Sequence, residues 1–390
     1  MNQKLNEAKP ILNKLINAGY EAYFVGGCVR DTLMNNEIND IDITTDATPD
    51  EIETVFDHTL HVGKEFGTVI VIDNDNQYEI TTFRTENESL DGRHPAEVKF
   101  VKNLHEDLSR RDFTMNAIAM NVNGKLIDPF NGQNDIKKGV IKTVGDAKRR
   151  FNEDYLRMLR ALRFVAKYNF VLDQNAYNAL VEDFILVNSI SKERIINELT
   201  KLLNLQHVGN AMQLLNQLSQ SNKQLLNLNL SHIEINRPIS IELFLAILLQ
   251  FQTVNLVELK LSNKQKTKII EYDQIIKKLS NCEDFMMFKY IIYQFDINLI
   301  KEVLNYADLL KHNNIHIVKC NINRVDSIYN RLTIHSSKDL CISGRDLVQY
   351  HNRKAGPWVG KMLKYIEKLV VTNQINNNID DCLVISNYLN

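Results

Sequence analysis

The chain has 390 residues, of which 44% are hydrophobic and 24% charged, with 46 Lys+Arg against 48 Asp+Glu for a formal charge of −2. That length suits roughly two to four domains with a substantial core, and the near-neutral balance excludes an overall basic character that would announce nucleic acid. The five cysteines (Cys28, Cys282, Cys320, Cys341, Cys382) are scattered without a C-x-x-C pair, against a zinc site or a disulfide scaffold; with no apolar leader and no membrane-spanning run, the expectation is a cytoplasmic protein with reduced thiols and no membrane partner.

In chain order, residues 1–19 read as a short helix ending at Gly19, with Ile11, Leu12, Leu15 and Ile16 on one face. Ala22-Tyr23-Phe24-Val25 reads as a buried strand that stops at Gly26-Gly27. Lacking Cβ atoms, these glycines let backbone N–H groups approach a ligand closely, and a helix from about Val29 adds its positive end. Asp40-Ile41-Asp42-Ile43 alternates as a strand does, which predicts both aspartates on one face. Two carboxylates so close repel each other, and a hard divalent ion such as Mg2+ relieves this while bridging to substrate phosphates. A lone Gly-Gly is ordinarily a turn and a lone Asp-x-Asp a solvated strand edge. The order strand, Gly-Gly, helix, Asp-x-Asp sets this pair apart, and it resembles the signature of the DNA polymerase β-like nucleotidyltransferase superfamily.

Thr48-Pro49-Asp50-Glu51 starts a further helix, with Thr48 or Asp50 as cap. Thr68 to Ile72 reads as a strand that turns at 73–76 and returns through Tyr78 to Arg84. An antiparallel strand beside Asp40 and Asp42 would bring up Glu79 as a third catalytic carboxylate; on an alternating strand Glu79 otherwise just faces solvent. Residues 85–99 lack hydrophobic periodicity and read as a polar loop between strands. Arg110-Arg111-Asp112 is an ordinary exposed helix start or, beside a phosphate site, two arginines for a triphosphate and a carboxylate for a ribose 2′-OH. A turn at 128–132 leads toward the end of the α/β part near residue 147.

From Lys148 strand signals vanish and helical periodicity runs almost to the end. In the first such helix Leu159, Leu162 and Ala166 form a packing stripe, while Asp154 and Arg157, three apart, share another, exposed face. On a lone helix, Asp154–Arg157 or Glu153–Arg157 would be a plain surface ion pair.

Taken together and in order, Gly26-Gly27…Arg30-Asp31…Asp40-Ile-Asp42, Arg110-Arg111-Asp112-Phe-Thr-Met-Asn116-Ala and Glu153-Asp154-x-x-Arg157-Met-Leu-Arg160-Ala-Leu-Arg163-Phe resemble the class II tRNA nucleotidyltransferases, the CCA-adding enzymes of bacteria and eukaryotes. Ile190-Ser-Lys-Glu193-Arg194 to Glu198 resembles the family's last head-and-neck motif, and Ile342-Ser-Gly-Arg345 to Gly360 the tail of short bacterial members. The resemblance implies an α+β, polymerase β-like head (1–147) followed by an all-α neck (148–205), body (206–318) and tail (319–390). It implies template-independent addition of C, C and A to tRNA from CTP and ATP with Mg2+. Asp40 and Asp42 would be the metal ligands and, with Glu79, the catalytic residues. Gly26, Gly27, Arg30, Arg111 and Arg160 would serve the triphosphate, Asp112 the ribose, and Asp154 with Arg157 the base edge; Asn116 and Arg163 complete the nucleotide-binding set.

The switch from C to A is assigned to Asp91, Gly92 and Arg93, midway along the polar loop, with Gly92 as hinge. From 319 to 371 there are ten Lys/Arg against four acids, an excess that suits tRNA phosphates through Arg345, Arg353, Lys354 and Lys361 or else is an ordinary helical surface. Oligomeric state is not set by the sequence. A poly(A) polymerase, a CC-only or A-only specialist, and an inactive RNA-binding module are the open alternatives.

Overall fold

A computed structural model describes residues 3–60, 64–74, 76–86, 98–317 and 320–388. The chain divides into two compact units, Met1–Ser231 with Ile235–Pro238, and His232–Glu234 with Ile239–Asn390.

The first unit is built on a seven-stranded mixed sheet. Its strands are β1 (Ala22–Val25), β2 (Asp42–Thr45), β3 (Thr59–Leu60), β4 (Thr68–Asp73), β5 (Asn76–Thr82), β8 (Ala119–Met120) and β9 (Leu126–Ile127), in the order β3-β4-β5-β2-β1-β8-β9. Period-two alternation gives the sheet two unlike faces. Phe24, Ile43, Val69, Val71 and Ile80 pack under α1 (Gln3–Asn17) and α3 (Pro49–Val55), against Leu5, Leu12, Leu15 and Ile52. Val25 and Ala119 turn the other way and join Phe83, Leu104, Leu108 and Val144 in a second cluster. Asp42 and Thr44 flank Ile43, so they too face away from the first core. Local chemistry explains the helix starts. Thr48 closes a capping box with Glu51 at the head of α3, Asn103 caps α4 (Leu104–Ser109), and Asp146 caps α6 (Ala147–Glu153).

Several expectations are corrected. Ile16 is 39% exposed, because the buried stripe Leu5, Ala8, Ile11, Leu12, Leu15 leaves the next position on the helix flank. The strand begins at Asp42; Asp40 and Ile41 precede it, because β1 turns away at Gly26-Gly27 and its pairing with β2 extends only to Phe24 opposite Ile43. β5 runs parallel to β2, not antiparallel. The ends of the polar stretch 85–99 are themselves strands, β6 (Arg84–Glu86) pairing with β7 (Val98–Phe100), while 87–97, with Asp91, Gly92 and Arg93, lie outside the described residues. Strand structure also persists past residue 148, since β11 (Val171–Leu172) pairs in parallel with β10 (Val140–Ile141). The helix expected through Asp154 is two: α6 ends at Glu153, Asp154 is extended (φ −151°, ψ 106°), and α7 runs Leu156–Tyr168. The Asp154 carboxylate accepts from the Leu156 N–H at 3.0 Å, a local bond that competes with helix continuation. Helices at Gln174–Asp183, Lys192–Leu203 and Val208–Gln220 complete this unit.

Among the described residues of the second unit the regular elements are helices, with no strand. Ile241–Leu248 is buried at all of its apolar positions and packs on the 18-residue helix Asn263–Ser280. Leu332, Ile334, Ile342, Leu347, Met362, Ile366 and Val370 form its C-terminal core, around the helices Gly344–Tyr350 and Pro357–Val371.

Gly132 opens the helix Gly132–Lys138 so close to the Thr114–Asn116 turn that an added Cβ would sit 2.2 Å from the Thr114 carbonyl oxygen. Backbone on both sides leaves little room to yield. Gly132→Ala is expected to destabilise the first unit by about 1–3 kcal/mol, read as a lowered Tm in a thermal melt; an unchanged Tm would contradict this packing.

Candidate active site

The sheet and α7 together wall a cleft of about 680 Å³. Of the residues expected in a nucleotide site, Gly26, Gly27, Arg30, Asp40, Asp42, Arg111, Asp112, Asn116, Asp154, Arg157, Arg160 and Arg163 all line it, although they are drawn from four separated stretches of chain. Glu79 is not among the lining residues. It stands opposite Asp42 in the parallel β2–β5 register and is exposed.

At the sheet end, Gly26 adopts φ +71°, and a Cβ there would lie 3.1 Å from Arg111 Nη1 and 3.5 Å from Asp42 Oδ2. Glycine is therefore required both by conformation and by the close approach of the arginine. Burial pushes the Asp42 carboxyl up to about 6; Arg111 opposes this, while Glu79 and Asp40 add to it by repulsion. Arg111 Nη2 lies 3.2 Å from Asp107 Oδ2, and its buried Nε has no hydrogen-bond partner among the described residues. Arg110 and Arg111 follow the C-terminal end of α4 and do not start a helix, so both side chains are gathered back to Asp107 one turn earlier.

Arg30 is 5% exposed and held on every side. It makes a two-point pair with Asp31 (3.0 and 2.9 Å), donates to Asn116 Oδ1 at 2.5 Å, and lies 4.9 Å from the Tyr168 ring centroid. Asp112 accepts from Arg160 Nε and Nη2 at 2.8 and 2.7 Å, and from Asn116 Nδ2 and its neighbour Phe113 N at 2.8 Å each. Burial alone would raise its carboxyl, but Arg160 and these bonds hold it down to about 2. A ribose hydroxyl would have to displace one of the four donors. Arg163 pairs with Glu198 and packs 4.8 Å from the Phe164 ring.

At the far end the expected arrangement is altered. Asp154 and Arg157 do not share an exposed helix face. Arg157 is 9% exposed, with Nη1 bonded to Glu153 Oε2 at 2.7 Å and to the Arg150 carbonyl at 2.8 Å, and Nη2 to the Arg110 carbonyl at 3.3 Å. The bonds that replace water allow the charge to be buried. Asp154, freed from the helix, pairs with Arg194 Nη2 at 3.3 Å, and Arg194 Nη1 is buried without a partner among the described residues.

Sequence reading gave no role to Arg194, Lys167 and Phe164, which line the cleft, nor to Asp107 behind it. Asp107 was findable as an acid three and four residues before two arginines; Arg194 and Phe164 lie within the family motifs, and nothing local marks Lys167. In all, nine Lys/Arg line the cleft against four aspartates, a charge surplus suited to a polyanionic ligand. Among the described residues no three His, Cys, Asp or Glu side chains gather closely enough to hold a metal by themselves.

In the second unit Arg345, Arg353, Lys354 and Lys361 are exposed. Arg345 borders a separate cleft of about 490 Å³ with Gly344, Gly356 and Val359. Arg353 lies 5.2 Å from the Trp358 ring centroid, and the Lys354 carbonyl accepts from Trp358 Nε1.

Residues 22–142 match the family model of the poly A polymerase head domain, residues 169–219 that of an RNA-binding region of polymerase A, and residues 240–384 that of tRNA nucleotidyltransferase domain 2. The CCA-adding enzyme of Staphylococcus haemolyticus (strain JCSC1435) is 43% identical over 385 residues, 97% of this chain and 96% of that protein. The CCA-adding enzyme of Staphylococcus aureus (strain MRSA252) is 43% identical over 384 residues, with the same coverage. The crystal structure of the Bacillus stearothermophilus CCA-adding enzyme in complex with CTP superposes with a TM-score of 0.78 at 30% identity, covering 100% of this chain and 98% of that one. The Thermotoga maritima CCA-adding enzyme complexed with tRNA, at 19% identity and a TM-score of 0.64, shares the fold. A shared catalytic head, a shared C-terminal domain and near-complete coverage of these relatives agree, and the chain belongs to the CCA-adding enzyme family of tRNA nucleotidyltransferases.

Proposed function

We propose that the enzyme adds C, C and then A to the 3′ end of tRNA from CTP and ATP, releasing pyrophosphate at each step and using no nucleic-acid template. The observation that carries this reading is one cleft with two unlike ends. Asp40 and Asp42 lie at the sheet end among arginines, and Asp154 and Arg157 lie at the α7 end. The tRNA 3′-oxygen bonds to the α-phosphorus as the bond to the β-phosphate oxygen breaks. Arg111, with its orphaned Nε, and the Gly26-Gly27 turn are assigned to the triphosphate. Arg30 and Arg160, each locked to an aspartate, shape the wall and contribute field.

The donor set suits Mg2+: two carboxylates, one of them raised first by burial and then by Glu79 and Asp40, with further positions left for phosphate oxygens and water. Asp40 and Asp42 would hold the ion, which when bound supplies Lewis-acid activation of the hydroxyl and neutralises charge on the leaving pyrophosphate. Glu79 beside Asp42 deepens the negative field there.

At the other end, cytosine and adenine both present an amine donor beside a ring-nitrogen acceptor, whereas uracil and guanine present a carbonyl beside an N–H. A carboxylate and a guanidinium satisfy the first pattern and leave charged groups unpaired against the second. The exposed cations of the second unit, Arg345, Arg353, Lys354 and Lys361, are proposed to take tRNA phosphates. The cytoplasm is the proposed location, in keeping with five cysteines that are all free thiols.

Asp42→Asn is expected to abolish incorporation of both C and A, by at least about 100-fold, with tRNA binding in a gel shift retained. The same variant tests the raised carboxyl. Asp42 costs no stability below its unfolded value near 3.8, costs progressively more as pH rises, and the full amount above about 6. In chelator at pH 7.5 Asp42→Asn should therefore melt roughly 2–4 °C above wild type, and the difference should close by pH 4. Added Mg2+ should raise the Tm of wild type alone. Residual activity above a few per cent of wild type, or an equal Mg2+ response in the variant, would remove Asp42 from the metal site.

Asp154→Ala is expected to lower the CTP-over-UTP ratio of kcat/KM by about 10- to 100-fold, the range for a lost hydrogen bond to a charged group. A variant that loses only Tm and keeps its base preference would make Asp154 structural.

A further inference from the structure

Asp107 lies behind the cleft, not in it, and is fully buried. An ionised carboxylate so placed needs strong partners, and burial is indeed outweighed by Arg110 and Arg111, which hold it ionised below its ordinary range. Its Oδ1 accepts from Arg110 Nε at 3.0 Å and Nη2 at 2.9 Å, and from the Arg84 N–H at 3.4 Å. Its Oδ2 accepts from Arg111 Nη2 and Thr44 Oγ1, both at 3.2 Å. One carboxylate thus joins the strand that carries Asp42, the start of β6, and both arginines of the Arg-Arg-Asp motif.

The two arginines lead to opposite ends of the nucleotide site. Arg111 reaches the Gly26 turn and Asp42. Arg110 has its side chain gripped by Asp107, while its carbonyl accepts from Arg157 Nη2 at 3.3 Å and from Arg150 Nη1 at 3.5 Å. Arg150 and Arg157 then share Glu153 Oε2, at 2.7 Å from each, and Glu153 immediately precedes Asp154. Charge-assisted bonds on either side of Arg110, one set to its side chain and one to its carbonyl, therefore link the catalytic strand to the base-reading arginine.

We propose that Asp107 is a positioning residue that sets the triphosphate end and the base end of the nucleotide pocket in one frame, through Arg111 and through Arg110. It touches neither substrate nor reacting atoms. The inference rests on the assignment of Arg111 to the triphosphate and of Arg157 to the base. Loss of the carboxylate charge frees Arg111 to swing from Asp42 and lets the Arg110 carbonyl drift from Arg157, so affinity for the nucleotide and choice of base fail together.

The test compares Asp107→Asn, which keeps the shape and removes the charge, with Leu104→Ala, which trims the adjoining apolar cluster on the same helix. Both are assayed as the full-length enzyme with tRNA lacking its 3′ end, against CTP, ATP and UTP. Asp107→Asn is expected to raise KM for CTP and ATP by about tenfold and to lower the CTP-over-UTP ratio of kcat/KM by at least about fivefold, with the tRNA Kd unchanged. Leu104→Ala, at a comparable loss of Tm, should keep both quantities near wild type.

An unaltered CTP-over-UTP ratio in Asp107→Asn overturns the proposal whatever happens to KM, and so does the same pair of changes in Leu104→Ala. Should Asp107→Asn not fold, Thr44→Val, which removes one donor from the same carboxylate, is expected to move both quantities in the same direction by about twofold, and no movement overturns the proposal. The underlying reading fails separately, if wild-type enzyme does not extend the tRNA or does not prefer CTP to UTP.

Discussion

Positive charge held in place by buried carboxylates is the constraint on which this site depends. Nine Lys/Arg converge on one cleft, and unpaired they would repel one another and pull away into solvent. Asp31 holds Arg30 and Lys167, Asp107 holds Arg110 and Arg111, Asp112 holds Arg160, Glu153 holds Arg157 and Arg150, and Glu198 holds Arg163. Each acid is a quarter exposed or less, so its grip is little screened by water, and each arginine keeps a fixed direction. Three of these pairs, Asp31–Lys167, Asp112–Arg160 and Glu198–Arg163, tie α7 to distant stretches of the chain. The electrostatics that prepare the cleft for a polyanion therefore also fasten α7 in place.

Asp42 is the exception to this rule. Its neighbours include Glu79 and Asp40 as well as Arg111, and its carboxyl is raised while Asp112 and Asp107 are lowered. Structural carboxylates in this protein are satisfied; this one is not. A site kept short of positive charge at one spot, inside a cleft rich in it, is where an added cation is worth most. Burial is the first cause of the rise at Asp42, and the β2–β5 register, with Glu79 directly opposite, adds to it.

The motifs that carry backbone geometry were the most legible part of the sequence. Gly26-Gly27 stops β1 where an apolar run ends, and Thr48 with Glu51 caps α3, because glycine freedom and capping act within four residues. Which residues would line the cleft was legible as well, since acids and arginines have few other reasons to follow such a glycine turn in order. What pairs with what was not. The parallel β2–β5 pairing depends on a helix and a hairpin intervening, which leaves no local trace. Nor does anything in Phe151-Asn152-Glu153-Asp154-Tyr155, free of Gly and Pro, mark the break between α6 and α7. It comes from an aspartate that bonds a backbone N–H two residues on. Arg157 reads as exposed by its charge, yet it is buried, because Glu153 and two carbonyls from distant chain stand in for water.

That break bears on how one pocket can take a pyrimidine and then a purine. On the proposed reading, Arg157 and Asp154 meet the base together, but they are not held alike. Arg157 is clamped by Glu153 and the carbonyls of Arg150 and Arg110, so moving it would break several bonds at once. Asp154 sits on extended backbone between two helices and keeps, besides the Leu156 N–H, a 3.3 Å contact to Arg194. Adenine places its amine and ring acceptor farther from the ribose than cytosine does. The cheaper adjustment is at Asp154, where rotation costs one backbone N–H bond and a weak ion pair, while Arg157 serves as the fixed reference. A continuous helix through this stretch would have coupled the two residues rigidly; the break at Asp154 separates them.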